Sequence, residues 1–260
     1  MQHAASSGSR RGLMLGLLLS ATGLAVVVAP AHAALVNPGF EAGLTGWSTD
    51  STNVSTVTSA FGITPPEGTF QALISTEEGS PGASPKITSD IESFLGLSSG
   101  SLDSISTNYT TEGSVMKQSF TASNGDSLSF LWNFLTNETP ANDLDFNDLA
   151  FYTLQTPSSS TPMLFLLADT FSGLGLSSSP FTYETGYTPL SFTLLGGTGT
   201  YTIGFGVMHV GDDQVDSGLL VDKLILTTNP VPEPSTVVLL ASGLAGLGYW
   251  RRKQLLAVKY

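Results

Sequence analysis

Residues 127–135 read SLSFLWNFL, and this stretch decides the fold. Leu128, Phe130, Trp132 and Phe134 occupy every second position, so an extended chain gathers them on one face. A helix would scatter them around its circumference. The same period returns at 200–208, where Tyr201, Ile203, Phe205 and Val207 line up. Residues 219–227 are apolar on both faces, as a central strand would be. Further strands are expected over 54–60, 69–75, 114–122, 149–154, 163–170 and 189–195. Between 114–122 and 127–135 stands Asn124-Gly125, the pair favoured where a tight hairpin needs positive φ. One short helix is expected at 90–95, capped by Ser89, with Glu92 completing a capping box and Gly96 ending it. Nine or so strands over about 190 residues, without a fixed internal repeat, predict an antiparallel β-sandwich of jelly-roll type.

Charge narrows the function. Arg10 and Arg11 sit near the start, and Arg251, Arg252, Lys253 and Lys259 near the end. Only Lys86, Lys117 and Lys223 lie between, against all 21 acidic residues, so 34–234 carries a net charge of −18. Such a field repels nucleic-acid phosphates and anionic lipid headgroups, which excludes a nucleic-acid partner. There is no cysteine. Thiol nucleophiles and thiolate metal sites are therefore ruled out, and an exported domain must rely on its core or on bound metal.

Both ends carry targeting signals. Arg10-Arg11 precedes an apolar run over 13–28, then Pro30 and Ala31-His32-Ala33. This is the layout of a secretory signal, with a signal peptidase expected to cut between Ala33 and Ala34. A retained signal anchor is the alternative. At the other end, 231–253 reads VPEPSTVVLLASGLAGLGYWRRK. Pro232-Glu233-Pro234 is expected to stay extended and accessible. Residues 236–250 are nearly all apolar and predict a short transmembrane helix, which Arg251-Arg252-Lys253 would stop and orient. About fifteen apolar residues fall short of the roughly 20 that span a bilayer comfortably, so the hold on the inner membrane is expected to be transient.

This tail resembles the PEP-CTERM sorting signal of exopolysaccharide-producing Gram-negative bacteria. The resemblance implies recognition of the Pro-Glu-Pro segment by an exosortase, cleavage near it, and release or transfer of the protein. It divides the chain into a signal peptide (1–33), an exported sandwich (34–228), a sorting segment (229–253) and a cytoplasmic tail (254–260).

The first mature residues, Leu35-Val36-Asn37-Pro38-Gly39-Phe40-Glu41 and Gly43-Leu44-Thr45-Gly46-Trp47, resemble the opening of carbohydrate-binding jelly rolls. Gly218-Leu219-Leu220-Val221-Asp222-Lys223-Leu224 resembles their closing strand. That resemblance implies a structural calcium held in part by Glu41 and Asp222. The middle, including residues 125–130, 132–138 and 146–151, resembles exported domains often found with this tail.

Three further groups are candidates for chemistry. Asn137-Glu138 with Asp143-x-Asp145-x-Asn147-Asp148 is the densest oxygen cluster and a candidate calcium loop, although its spacing is not that of an EF-hand. A solvated acidic loop is the alternative reading; Asp212-Asp213-x-x-Asp216 is a weaker version. His209 is the only histidine left after signal cleavage, and without a nucleophile-turn motif it reads as structural or surface rather than as part of a triad. Trp47, beside a Gly-rich turn, is the candidate for stacking on a sugar ring, whereas Trp132 reads as core. Together these give a non-catalytic surface or matrix protein that binds glycan or calcium and associates with exopolysaccharide. The alternatives are an exported polysaccharide hydrolase and a structural envelope protein without a ligand.

Overall fold

The computed structural model describes residues 35–77, 84–139, 144–229 and 234–257. Ala33, Ala34, Asp143, Pro232 and Glu233 lie outside the described residues, as does the whole expected signal peptide. The strands are β1 (Ser48–Thr49), β2 (Val54–Val57), β3 (Gln71–Ser75), β4 (Lys86–Ile87), β5 (Thr110–Ala122), β6 (Ser127–Thr136), β7 (Leu149–Gln155), β8 (Met163–Asp169), β9 (Gly175–Leu176), β10 (Tyr183–Glu184), β11 (Thr188–Thr193), β12 (Gly199–Val210) and β13 (Ser217–Thr227). Two helices accompany them, α1 (Thr88–Leu95) and α2 (Pro234–Ala257). The chain divides into two compact units, the sandwich within Ala31–Val231 and a second containing α2.

The strands form two antiparallel sheets. Sheet A runs β1-β5-β12-β7-β8, with β4 also on β5; sheet B runs β2-β3-β13-β6-β10-β9, with β11 also on β6. The alternating residues read from the sequence fill the space between them. Leu128, Phe130, Trp132 and Phe134 from β6 meet Tyr201, Ile203, Phe205 and Val207 from β12 in one apolar cluster. Phe130 meets Phe205 edge-on, their centroids 4.9 Å apart. Each such ring contributes about 1.5–3 kcal/mol through removal of its surface from water.

The outer faces are also covered, which explains the doubly apolar β13. Its Leu219 and Val221 point into the sandwich. Leu220 joins Leu73, Leu135 and Phe181 in a separate cluster. On sheet A, Ile91 and Leu95 of α1 cover Val115, Phe151 and Met208.

Two local expectations are overturned. The 114–122 and 127–135 segments do not form a hairpin: β5 lies in sheet A and β6 in sheet B. Both strands offer an inward face to the same core, so the chain must cross between sheets. Asn124-Gly125 makes that crossing, with Gly125 at φ 95°. The β11 edge takes the place a hairpin partner would have had: Gly125 N–H donates to Leu194 O (2.9 Å) and Leu194 N–H to Asp126 O (2.7 Å). Asp126 fixes the turn by accepting from Ser123 N–H (2.7 Å) and Asn229 N–H (2.9 Å). A Cβ on Gly125 would come no closer than 3.4 Å to a neighbour. Gly125→Ala is therefore expected to cost only about 1 kcal/mol, from the φ alone, as read by urea unfolding.

The helix begins earlier than expected, and its capping box is not used. Ile87 is its N-cap residue, with no side-chain cap, while Gly96 ends the helix at φ 79°. Glu92 instead turns past the helix and accepts from Gly100 N–H (3.0 Å) and Leu102 N–H (3.0 Å). The following loop has stronger need of acceptors than the helix start.

Candidate functional site

The β13 ladder is interrupted between Asp222 and Ile225 by a bulge, with Lys223 at φ 54°. The bulge frees Asp222 from the strand's regular alternation. Its carboxylate is wholly buried and accepts from two backbone groups, Lys223 N–H (2.7 Å) on Oδ1 and Glu67 N–H (3.0 Å) on Oδ2. Leu224 N–H donates to Pro38 O (3.2 Å), which draws the first loop onto the last strand.

That first loop is built to project Glu41. Asn37 and Phe40 adopt positive φ. Asn37 ties the turn by accepting from Ala42 N–H (3.0 Å) and donating to Gly43 O (2.7 Å). Phe40 is buried, 5.3 Å from Trp47. The next side chain, Glu41, reaches over the 67–70 segment, where Oε1 accepts from Thr69 N–H (2.8 Å) and Phe70 N–H (2.9 Å). Gly68 lies beneath it at φ 61°; a Cβ there would stand 2.2 Å from Glu41 Oε1. A Cβ on Gly39 would touch both Glu67 Cδ (3.8 Å) and Asp222 Oδ1 (3.9 Å). Glu41, Glu67 and Asp222 thus converge where the first loop meets the last strand.

The convergence has an electrostatic signature. The Asp222 carboxyl is pushed up to about 6, first by burial and then by the charges of Glu67 and Glu41, against the opposing pull of its two backbone hydrogen bonds. Among the described residues, no three Asp, Glu or His side chains are drawn together tightly enough to form a metal centre. Each Asp222 oxygen accepts from one backbone donor, which leaves lone pairs for a cation, whereas Glu41 Oε1 already accepts from two. Three carboxylates with surplus negative charge are of the ligand type calcium takes, at 6–8 oxygens and flexible geometry, but the described side chains are not gathered into a ligand set. Glu67 was missed in the sequence; the one local hint is the Gly68 that follows it.

The second candidate loop is not assembled as read. Asp148 does not face a loop cavity; it is buried against His209, with its Oδ2 3.0 Å from His209 Nδ1. Asp145 is exposed, and its backbone carbonyl accepts from Asn108 Nδ2 (3.3 Å). Asn147 accepts from Thr170 N–H (2.9 Å), and Asn137 from Thr182 N–H (2.8 Å). Glu138 is half-buried just past β6. The Asn147 and Asn137 side chains thus close one loop onto another. In the weaker acidic run, Asp212 Oδ1 accepts from Gln214 N–H (3.2 Å) and so serves its own turn.

His209 sits in a trio of the right residue types and the wrong wiring for catalysis. Asp148 Oδ1 accepts from Val210 N–H (3.0 Å), and its Oδ2 accepts from Ser217 Oγ (2.7 Å). A triad would place the serine on the far ring nitrogen. Here Ser217 bonds the carboxylate directly, and among the described residues His209 Nε2 is buried without a hydrogen-bond partner. Burial pulls the imidazole down, but the hydrogen bond and charge of Asp148, with Glu112 and Asp216 behind it, carry it above its ordinary value. Ser217 Oγ also reaches Thr136 Oγ1 (2.8 Å), so the network stitches sheet A to sheet B.

Trp47 is no sugar platform. It is 8% exposed and lies between Phe40 and Phe205, the latter 6.1 Å away. The Gly-Trp turn directs the ring inward because Phe40 opens a slot for it.

In the tail, Pro234 is the first residue of α2 rather than part of an extended segment, a position proline tolerates because its missing N–H is unneeded there. Leu239, Leu240, Leu244 and Leu247 are exposed on this helix. Arg251, Arg252 and Lys253 continue it rather than follow it. Among the described residues, no helix is long and apolar enough to cross a membrane.

The molecule is thus a two-sheet sandwich followed in sequence by a helix that carries Arg251, Arg252 and Lys253. Residues 230–253 match the PEP-CTERM protein-sorting motif. No curated protein matches the chain. Solved structures similar to it include TmCBM61 in complex with β-1,4-galactotriose, 12% identical with a TM-score of 0.41, covering 76% of this chain and 100% of that one. A family 16 carbohydrate-binding module is 14% identical with a TM-score of 0.35, covering 74% and 98%. The enzymatically active domain of bacteriophage CBA120 tailspike protein 4 is 10% identical with a TM-score of 0.37, covering 75% of this chain and 21% of that one. Likeness at these scores carries no residue-level correspondence.

Proposed function

We propose that this chain is an exported protein processed by an exosortase, whose sandwich serves at the cell surface or in the extracellular matrix as a non-catalytic glycan- or calcium-binding module. The observation that carries this reading is a sandwich with a core of its own, followed by a separate helix matched by a sorting motif. Signal peptidase releases the start at Ala34, and α2 holds the protein briefly in the inner membrane until the exosortase acts at Pro232-Glu233-Pro234. Calcium, when bound by Glu41, Glu67 and Asp222, supplies a cross-link between the first loop, the 67–70 segment and β13. The net charge of −18 over 34–234 favours neutral over acidic exopolysaccharide.

The non-catalytic part of the proposal is supported by the trio at His209, which is fully buried and wired for structure. A polysaccharide pull-down run beside a reducing-sugar hydrolysis assay tests it. Retention without turnover is the expected result. Turnover without retention would replace the binding module with a hydrolase, and neither would leave a structural protein without a glycan.

A further inference from the structure

The acidic residues are not spread evenly along the strands. One end of the sandwich is closed by the segments 122–127, 155–163, 193–199 and 227–229. There β5, β7, β11 and β13 stop, and β6, β8 and β12 start. The segments are clasped together. Asn124 Oδ1 accepts from Gly196 N–H (3.2 Å), and a Cβ on Gly196 would stand 2.8 Å from Thr156 Cβ. Asp126 is their only charged residue, and it is 1% exposed. To solvent they present the amide of Asn124, the hydroxyls of Ser158, Ser160 and Thr198, and Leu195. The opposite end, past β6 and β12, carries Glu138, Asp145, Asp212, Asp213 and Asp216, with Glu77 just beyond β3.

The chain leaves the sandwich from the neutral end. Asn229 N–H donates to Asp126 Oδ1 (2.9 Å), which fixes the residue directly before the sorting motif at 230–253. From Asn229 to Thr236, where the apolar run begins, the chain can reach about 25 Å at most. The twelve residues of β12, by comparison, run about 40 Å at about 3.3 Å each. The tether is shorter than the sandwich is long, so a membrane that holds the apolar run lies against part of the sandwich surface.

We propose that the neutral end is a membrane-facing surface, on which the sandwich stands over an anionic leaflet while its tail is held there. The membrane hold proposed above is the premise; what is added is the face that meets the lipid. Charge selects that face. Fields between charges decay over about 8 Å at physiological salt. Standing on the neutral end keeps the acidic end several such lengths from the leaflet. Lying flat would bring the flank of a domain with a net charge of −18 against anionic headgroups. The uncharged hydroxyls and amide at the neutral end can donate to headgroup oxygens without that repulsion.

Because the chain has no cysteine, single cysteines at Thr198 and Gln214 place one fluorophore at either end, both at exposed positions. The full chain is reconstituted in phosphatidylcholine vesicles with about 30% phosphatidylglycerol, their headgroups carrying a nitroxide quencher. Quenching at position 198 is expected to exceed that at 214 by at least about threefold. The gap should narrow in vesicles of phosphatidylcholine alone. Equal quenching at the two ends, stronger quenching at 214, or a gap that ignores the lipid charge would each overturn the proposal. Failure of the chain to float with the vesicles would remove the membrane hold itself and this surface with it. Flotation with equal quenching would remove the surface alone.

Discussion

Millimolar calcium raises the melting temperature of the sandwich at pH 7.5 by about 5–10 °C over chelator, and the gain shrinks to about half at pH 5. The size follows from mass action: a ligand at a hundred times its Kd stabilises by about 2.7 kcal/mol, and each kcal/mol moves a domain of this length by about 2–4 °C. The pH dependence follows from Asp222. Its carboxyl titrates at about 6 in the fold, whereas a free aspartate titrates at about 3.9. Between those values the native state holds the extra proton. Without calcium, stability therefore falls as pH rises from about 4 to about 6, by on the order of 2 kcal/mol, and then levels off. Calcium competes with that proton, so its contribution is full only above the folded value. Asp222→Asn should abolish both the slope and the calcium response. Superimposable melting curves with calcium and chelator at pH 7.5 would remove the site.

The second large effect belongs to Asp148. Asp148→Ala removes the acceptor for His209 Nδ1, Val210 N–H and Ser217 Oγ together, all of them buried. Breaking a buried pair while leaving its partner behind costs about 3–5 kcal/mol, so the melting temperature should drop by about 10 °C. The His209→Ala and Asp148→Ala double variant should lose less than the two single losses combined, since the partners act as one unit. A drop within about 2 °C would mean that the network does not stitch the sheets.

The sequence carried the layers better than the connections. Period-2 runs at 127–135 and 200–208 named the inward residues of β6 and β12, and a doubly apolar stretch named the central β13. Each signal is local, and burial follows from it directly. The turn at Asn124-Gly125 was read correctly as a turn and wrongly as a hairpin. Local chemistry is the same in both cases; what differs is Leu194, some seventy residues away, waiting at the edge of β6. Asp148 misled for a similar reason. It stands in an acidic string, yet His209 and Ser217, more than sixty residues downstream, draw it into the core. At the candidate cation site, Glu41 and Asp222 were reached through resemblance, while Glu67 has no motif of its own. The bulge at Lys223 and the glycines at 39 and 68 bring it in, and neither can be read as a ligand signal in one dimension. Trp47 shows that an aromatic beside a glycine turn has no fixed direction until its neighbour, here Phe40, is placed.

Delivery to the outside is the claim on which the rest depends. Intact-mass analysis of the protein recovered from an exosortase-bearing host tests it directly. The expected species is found outside the cytoplasm, begins at Ala34 and lacks the helix that follows Pro232-Glu233-Pro234; deleting the exosortase should leave that helix attached. A full-length chain in the cytosol, with residues 1–33 and 234–260 both present, would contradict the account.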